Sequence, residues 1–207
     1  YNSQTGEVCK GGKINLPGLA LPLVAALTPK HWEIKLIIEY VEDINFDEDC
    51  DLVGIGNMGH SISRANDIAL EFKKRGKKVF TGGLMSTLMP ELCQNFYDSI
   101  ILGDAEIGYP KMLDDFEKTG KMDPLYQIPV NHLTNLPLPR YDLLAKKRMG
   151  PLMPVQIGRG CPNTCNFCSV SCVYKGKYLC RDINEIIRDI KEIKRLGYKY
   201  LFFVDDN

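Results

Sequence analysis

Between residues 32 and 117, segments whose apolar residues recur with the two-residue period of a strand alternate with segments that have the 3.6-residue period of a helix. Residues 32–41 alternate apolar and polar side chains, which predicts a strand. Residues 51–55 form a short apolar run that predicts a buried parallel strand. Residues 62–75 carry the apolar stripe of a helix, which we expect to end before Gly76. This part of the chain therefore predicts two strands and a helix.

The same alternation continues over four more elements. The pattern predicts a strand at residues 79–83, a helix at 91–96, a strand at 99–102 and a helix at 109–117. This order predicts the α/β fold class, with a Rossmann-like doubly wound parallel sheet. In such sheets, ligands bind where the carboxyl ends of the strands meet the loops that follow them.

Three glycine-rich loops follow predicted strands, at residues 54–60, 81–83 and 103–106. Glycine lets the backbone approach a ligand closely, but it is also common in ordinary turns that bind no ligand. The loops are therefore candidate binding positions, and their pattern alone does not separate a ligand site from ordinary turns.

A second pattern begins at residue 153. Residues 153–157 predict a strand, residues 182–196 an amphipathic helix with isoleucines on one face, and residues 200–204 a second parallel strand. Asp182 is expected to cap the amino end of the helix and Gly197 to end it. The three elements predict a right-handed βαβ unit.

Prolines interrupt the chain between these two patterns. Residues 119–152 contain five of them with few apolar periodicities, at positions 124, 129, 137, 139 and 151. Because proline stiffens an extended chain, this segment predicts a linker that holds two domains at a defined distance. We therefore expect a first domain at residues 1–118, a linker at 119–152 and the start of a second domain at 153–207.

The loop that follows the strand at 153–157 contains three closely spaced cysteines. Cys161, Cys165 and Cys168 have the spacing C-x-x-x-C-x-x-C. Three thiolates from one loop can hold three irons of a four-iron cluster, since cysteine is the usual cluster ligand. The fourth iron then has no protein ligand, and an open metal position is where a substrate or cosubstrate binds.

The remaining cysteines leave two alternatives open. Cys172 and Cys180 follow closely, so either could complete a closed Cys₄ site of zinc or ferredoxin type. Such zinc modules usually pair two C-x-x-C knuckles, and this chain does not. Cys9, Cys50 and Cys93 are expected to be buried, inert thiols.

The cysteine spacing, with the aromatic Phe167 directly before the third cysteine, resembles the signature of the radical S-adenosylmethionine (SAM) enzymes. The resemblance implies a [4Fe-4S] cluster on Cys161, Cys165 and Cys168, with SAM bound to the open iron. It also implies that an electron from the cluster cleaves SAM to a 5′-deoxyadenosyl radical, which abstracts hydrogen from a substrate. The unit at 153–207 then matches the opening of the partial TIM-like barrel of that family.

The preceding α/β domain resembles the cobalamin-binding domain of the cobalamin-dependent radical SAM enzymes. That resemblance implies corrin contacts at Gly56, Asn57 and Gly59, and further contacts at three glycines: Gly82, Gly83 and Gly103. Many cobalamin domains carry an Asp-x-His-x-x-Gly loop, which is absent here, and His60 lacks the required neighbours. If cobalamin binds, we expect no histidine ligand on its lower face.

Methylthiotransferases place a similar α/β domain before the same cluster motif, so that family is an alternative. Its domain carries three cluster cysteines of its own. Two of them would fall in the loops at residues 57–59 and 81–83, where this chain has no cysteine. A second cluster is therefore not expected.

Asp205, Asp206 and Asn207 follow the second strand of the βαβ unit, where many radical SAM enzymes carry a Gly-Gly-Glu run that contacts the amino group of SAM. Carboxylates suit an ammonium group, although Asp and Asn also end strands as ordinary turn residues. The runs at 156–162 and 202–207 look most like the subgroup that includes the hopanoid-modifying methylases. The resemblance implies methylation, or another remodelling, of an unactivated carbon.

The composition of the chain limits the classes of binding partner that we expect. Lysine plus arginine and aspartate plus glutamate number 26 each in 207 residues, so no global field attracts nucleic acid. The apolar run at 19–27 is too short for a membrane helix. We expect a cytoplasmic enzyme with a small-molecule or lipid-like substrate and an electron donor such as flavodoxin or ferredoxin. The start at Tyr1 and the end at Asn207, directly after a strand, suggest part of a longer protein that is inactive alone.

Overall fold

The computed structural model describes residues 10–207, which form two compact units. The first unit comprises Lys10 and residues 37–129, and the second comprises residues 11–36 and 130–207. The helices are α1 (Ala20–Leu27), α2 (Ile62–Lys74), α3 (Leu84–Leu88), α4 (Ala105–Thr119), α5 (Tyr141–Ala145), α6 (Ser169–Tyr174) and α7 (Ile183–Arg195). The strands are β1 (Leu52–Asn57), β2 (Lys78–Gly83), β3 (Ser99–Ile101), β4 (Leu125–Tyr126), β5 (Leu152–Val155), β6 (Gly158–Gly160), β7 (Tyr178–Cys180) and β8 (Tyr200–Phe203).

A four-stranded parallel sheet forms the centre of the first unit. Its strands lie in the order β1-β2-β3-β4, with Ile55, Thr81, Ile100 and Leu125 paired across one row. All four strands therefore end at the same edge of the sheet. The predicted α/β class with a parallel sheet is confirmed.

Helices cover both faces of this sheet. Phe72 of α2 packs with Val79 and Ile100 on one face, in a cluster that also contains Ala69, Cys93 and Tyr97. Phe80 points to the opposite face because successive side chains on a strand alternate. There its ring packs on Tyr109 of α4, with the ring centroids 5.5 Å apart. Coverage on both faces is the property that defines a doubly wound sheet, although strand order does not reverse among the described strands.

Two predicted elements of this region are wrong. Residues 32–41 do not form a strand, because no strand of residues 10–207 pairs with them. Their apolar alternation instead reflects burial of Leu36 and Val41 in irregular chain. The predicted helix at 91–96 is replaced by α3 and a 3₁₀ turn, Pro90–Leu92. Pro90 occupies the first position of that turn, where proline favours the start of a new helical segment, so α3 does not continue through it.

The segment at 119–152, expected to be a linker, contributes to both units. β4 adds an edge strand to the sheet of the first unit. In the second unit, Tyr141 of α5 is fully buried and its hydroxyl donates to the Pro154 carbonyl at 3.1 Å. The compact units also alternate along the chain, since residues 11–36 belong to the second unit and the first unit ends at Pro129, whereas the expected boundaries were residues 118 and 152.

A βαβ arrangement lies in the second unit, as the pattern predicts. β5 pairs in parallel with β8, and α7 packs against β5. Asp182 caps α7, accepting from the Asn184 N–H at 2.7 Å, and Gly197 has φ +89° directly after the helix. Ile186 and Ile193 of α7 are buried. This unit delivers the cysteine loop beyond the end of β5.

No helix among residues 10–207 is long and apolar enough to cross a membrane.

Candidate functional site

A two-stranded antiparallel ribbon carries the cysteine loop. β6 directly precedes Cys161, and β7 returns antiparallel to it, pairing Gly160 with Tyr178 and Gly158 with Cys180. Residues 161–177, which include all three motif cysteines and α6, lie between the two strands. The pattern of the sequence did not predict this ribbon, since three-residue strands are too short to show a period.

Two glycines allow the ribbon to close. A Cβ at Gly158 would lie 2.7 Å from the Tyr178 hydroxyl, so the tyrosine ring occupies the place of a side chain. Gly160 has φ +83°, and a Cβ there would press directly on the Lys177 carbonyl. The glycines on either side of Arg159 are therefore required by close packing at the base of the loop.

The three motif thiols differ in exposure. Cys161 is 9% exposed, Cys168 is half-buried and Cys165 is exposed. The Cys168 N–H donates to the Cys165 carbonyl at 3.1 Å, which forms a tight turn between the second and third cysteines. Phe167 within that turn is 91% exposed, so its ring is accessible to a ligand.

Among residues 10–207, no three His, Cys, Asp or Glu side chains converge closely enough to hold a single metal ion. A four-iron cluster has a different requirement, since each thiolate binds a different iron and the thiols need not converge on one point. The donor chemistry of the loop, three cysteines on one short segment, fits that requirement.

The residues that follow β8 hold the base of the loop. Asp205 Oδ1 accepts from the Ile157 N–H at 2.8 Å and from the Gly158 N–H at 3.2 Å. Asp206 Oδ2 accepts from the Gly160 N–H at 2.7 Å. Each carboxylate therefore uses one oxygen on the backbone that leads to Cys161.

Asn207 reaches the first motif thiol itself. Its Oδ1 lies 3.4 Å from Cys161 Sγ, and the Asn163 Nδ2 lies 3.4 Å from the same sulfur. The two carboxamides are 3.5 Å apart. Sequence reasoning identified Asp205, Asp206 and Asn207 as site residues but assigned no role to Asn163.

Tyr178 also belongs to this site. Its hydroxyl packs on Gly158. Loss of hydration at the ribbon raises the pKa of the Tyr178 hydroxyl, and the carboxylates of Asp205 and Asp206 raise it further.

A buried ion pair anchors the chain where it leaves the ribbon. The Arg181 Nη1 donates to the Gln156 carbonyl at 3.0 Å and lies 2.8 Å from Asp189 Oδ2. The side chain of Arg181 is 2% exposed and that of Asp189 is fully buried. The signal in the sequence is that Asp189 falls on the apolar stripe of α7, between Ile186 and Ile193, where a lone charge needs a partner.

The glycine-rich segments of the first unit lie at the carboxyl ends of its strands, but residues 54–57 and 81–83 belong to β1 and β2 and are not loops, and Asn57 points inward. The Asn57 Nδ2 donates to Thr81 Oγ and to Ser86 Oγ, each at 2.7 Å, and all three side chains are buried. A Cβ at Gly83, which has φ +122°, would lie 2.5 Å from the Asn57 carbonyl. Asn57 and Gly83 are paired across β1 and β2, so these contacts give both residues a role in joining the carboxyl ends of the two strands.

The other glycines at this edge are less constrained. A Cβ at Gly103 would meet nothing within 4 Å, and the Gly103 N–H donates to Thr87 Oγ at 2.9 Å. A Cβ at Gly59 would lie 3.8 Å from Met85 Sδ, and one at Gly82 would lie 3.6 Å from the Ile101 carbonyl. His60 is exposed in a 3₁₀ turn after β1.

Several curated proteins are similar to most of this chain. No protein-family model matches the chain. Bacteriochlorophyllide d C-8(2)-methyltransferase of Chlorobaculum tepidum is 34% identical over 87% of the chain and 42% of its own length. Hopanoid C-3 methylase of Methylococcus capsulatus is 29% identical over 68% of the chain and 31% of its own length.

The structure of the radical SAM methyltransferase TsrM from Kitasatospora setae, with cobalamin and a [4Fe-4S] cluster bound, has a similar fold. Its TM-score is 0.60 at 13% identity, over 78% of this chain and 38% of that one. The chain belongs to the cobalamin-binding-domain radical SAM family. It spans less than half the length of these members of the family.

Proposed function

We propose that this chain forms the cobalamin-binding and cluster-binding part of a radical SAM enzyme that methylates, or otherwise remodels, an unactivated carbon. The observation that carries the proposal is the three-cysteine loop, which is mounted on a glycine-dependent ribbon and held at its base by Asp205 and Asp206. The α/β unit that contains the parallel sheet and its glycine loops supports the cobalamin part.

Cys161, Cys165 and Cys168 would each bind one iron of a [4Fe-4S] cluster, which leaves the fourth iron for SAM. The bound cluster would supply the electron that cleaves SAM to a 5′-deoxyadenosyl radical. The protein holds the thiols in place and offers the second carboxylate oxygens of Asp205 and Asp206 to the ammonium group of SAM. Phe167, exposed beside Cys168, is available to contact the same ligand.

Cobalamin would bind at the edge of the first sheet, where β1, β2 and β3 end. Gly56, Gly59, Gly82 and Gly103 present backbone there, and the space beside Gly103 is open. Asn57 and Gly83 would shape this edge through their contacts with each other and with Thr81. The exposed His60 lies outside a cobalt-binding motif, so the lower face of the corrin would lack a histidine ligand.

The substrate would be a small or lipid-like molecule. The names of two relatives give a bacteriochlorophyllide and a hopanoid as the molecules that they methylate, which supports a substrate that is neither a nucleic acid nor a protein. An external one-electron donor, such as flavodoxin or ferredoxin, would reduce the cluster.

Low-temperature electron paramagnetic resonance (EPR) tests the cluster part of the proposal. The chain is reconstituted anaerobically with iron and sulfide, reduced with dithionite, and measured with and without SAM. We expect a reduced four-iron signal that changes when SAM is added. A signal that ignores SAM, in a chain that contains four irons, contradicts an open iron in this polypeptide.

The cobalamin part has its own test. The chain is incubated with hydroxocobalamin, and the protein fraction from gel filtration is examined for corrin absorption. We expect corrin to travel with the protein in a one-to-one ratio, with the spectrum of a form that lacks a histidine ligand. Absence of corrin from the protein peak contradicts this half of the proposal and leaves the cluster half intact.

A further inference from the structure

Cys161 has surroundings that distinguish it from the other two motif cysteines. It is the most buried of the three, and its sulfur lies against two carboxamide groups. The Asn163 Nδ2 and the Asn207 Oδ1 are each 3.4 Å from Cys161 Sγ. One asparagine comes from the cysteine loop itself and the other from the end of β8, 44 residues later.

Both carboxamides can donate to this sulfur. The Asn163 amide already presents an N–H to it. Asn207 accepts from the thiol as long as Cys161 is protonated, but a metal-bound thiolate has no proton to donate. A half-turn of the Asn207 amide exchanges its oxygen and nitrogen, so that it donates to the thiolate as well and gives up its 3.5 Å contact with the Asn163 amide.

Hydrogen bonds to cluster sulfurs set the reduction potential of an iron–sulfur centre. A one-electron reduction adds one negative charge to the cluster. Donors aimed at a ligand sulfur stabilise that charge, which raises the potential and makes the cluster easier to reduce.

We propose that Asn163 and Asn207 are positioning residues that act through Cys161 Sγ to raise the reduction potential of the bound cluster. The inference rests on the proposed function, since it requires a cluster on Cys161, Cys165 and Cys168. The reaction is one-electron reduction of the cluster by an external donor of the flavodoxin or ferredoxin class. The two amides would make reduction of the bound cluster by that donor more favourable.

The backbone contacts explain why the asparagines stay in place. The Asp206 carboxylate accepts from the Gly160 N–H at 2.7 Å. Gly160 directly precedes Cys161, and Asp206 directly precedes Asn207. The two segments therefore run past each other in register, so that Asn207 meets the cysteine that follows Gly160. A change at either asparagine leaves this backbone contact intact.

The test is a redox titration monitored by EPR on the anaerobically reconstituted chain. It compares the unchanged chain with Asn163→Ala, Asn207→Ala and the double variant. Each lost donor is expected to lower the equilibrium constant for reduction about tenfold, which is about 59 mV for one electron. Asn207→Asp, which places a carboxylate beside the sulfur and cannot donate, is expected to lower it further. Asn166→Ala is the matched control, because Asn166 is an exposed asparagine of the same loop, and its potential should equal that of the unchanged chain.

The outcomes separate the two proposals. Equal potentials in the unchanged chain, Asn163→Ala and Asn207→Ala, at equal iron content, overturn this inference and leave the cluster assignment standing. Failure of the unchanged chain to bind a cluster overturns the proposed function and this inference with it. Should Asn163→Ala bind no iron, Asn207→Ala and Asn207→Asp, which both lack a donor at that position, decide the matter by the same titration.

Discussion

Asp206 Oδ2 accepts a hydrogen bond of 2.7 Å from the Gly160 N–H, and this contact joins the end of β8 to the residue before Cys161. The two residues are 46 positions apart in the sequence. The contact means that the second strand of the βαβ unit supports the loop that follows the first. Its carboxylate is therefore a structural part of the candidate cluster site, whatever further ligand the second oxygen binds.

Asp206→Ala is expected to lower the free energy of unfolding by about 1.5–3 kcal/mol, since a hydrogen bond from the backbone to a charged group is lost. The iron content after reconstitution should fall as well, because the base of the loop is no longer held. Urea unfolding and iron analysis measure the two effects. Asp51→Ala, at an exposed aspartate, is the control and should change neither. An unchanged iron content in Asp206→Ala would show that the loop does not depend on this contact.

Gly160→Ala is expected to destabilise the ribbon by about 1–3 kcal/mol or more. The added Cβ presses on the Lys177 carbonyl, and the residue has φ +83°. Gly176→Ala is a closely matched control, since Gly176 has φ +78° but its Cβ would lie 3.7 Å from the nearest atom. The control should cost about 1 kcal/mol, from the positive φ alone. Thermal unfolding measures the difference, and equal losses in the two variants would contradict the packing argument.

Arg181→Met is expected to lower the free energy of unfolding by about 2–4 kcal/mol, because the fully buried Asp189 then keeps only the partly exposed Arg188 as a charge partner. The double variant Arg181→Met with Asp189→Leu should recover much of that loss, since the buried carboxylate is removed and the side chain of Arg188, 38% exposed, can be solvated by water. A double-mutant cycle in urea measures the coupling. Strictly additive losses would show that the two side chains do not depend on each other.

Asn57→Ala is expected to destabilise the first unit by about 1–3 kcal/mol, since Thr81 and Ser86 lose a buried partner. Asn95→Ala, at an exposed asparagine of the same unit, should have little effect. Urea unfolding followed by circular dichroism makes the comparison. If Asn57→Ala leaves stability unchanged but abolishes cobalamin binding, the residue contacts the ligand and the structural role is contradicted.

The closed-site alternative makes a different prediction for the remaining cysteines. Cys172→Ala and Cys180→Ala should each retain the iron content of the unchanged chain, because both thiols are exposed and lie outside the three-cysteine motif. Cys165→Ala should lose the cluster. Iron and sulfide analysis after reconstitution measures both. Loss of the cluster from either of the first two variants would identify a fourth ligand and favour a closed Cys₄ module.

Local sequence patterns predicted some features of the candidate site and missed others. The spacing of the three cysteines is a local property, so the sequence predicted the loop and the residues within it. The βαβ unit was also predictable, because the apolar stripe of α7 and the caps at Asp182 and Gly197 act over a few residues. Asn163 was missed, since nothing in its immediate neighbours shows that it meets Cys161 and a residue 44 positions away.

The first unit shows the opposite case. Residues 32–41 have the apolar alternation of a strand, yet they form none, because a strand exists only where another chain segment satisfies its backbone groups. Asn57 has the position of a ligand-binding residue after β1, but its side chain turns toward Thr81 and Ser86. Neighbouring strands, which the local sequence does not specify, decide both outcomes.

The sequence by itself determined the order of an α/β unit followed by a three-cysteine loop, since periodicity and spacing record which side chains are buried and which can share a cluster. The tertiary structure alone decided what holds that loop: the ribbon of β6 and β7, the carboxylates of Asp205 and Asp206, and the pair of Arg181 with Asp189. These contacts join residues that are far apart in the chain. Their energies depend on distance and burial in the folded molecule, and a pattern of neighbouring residues does not contain that information.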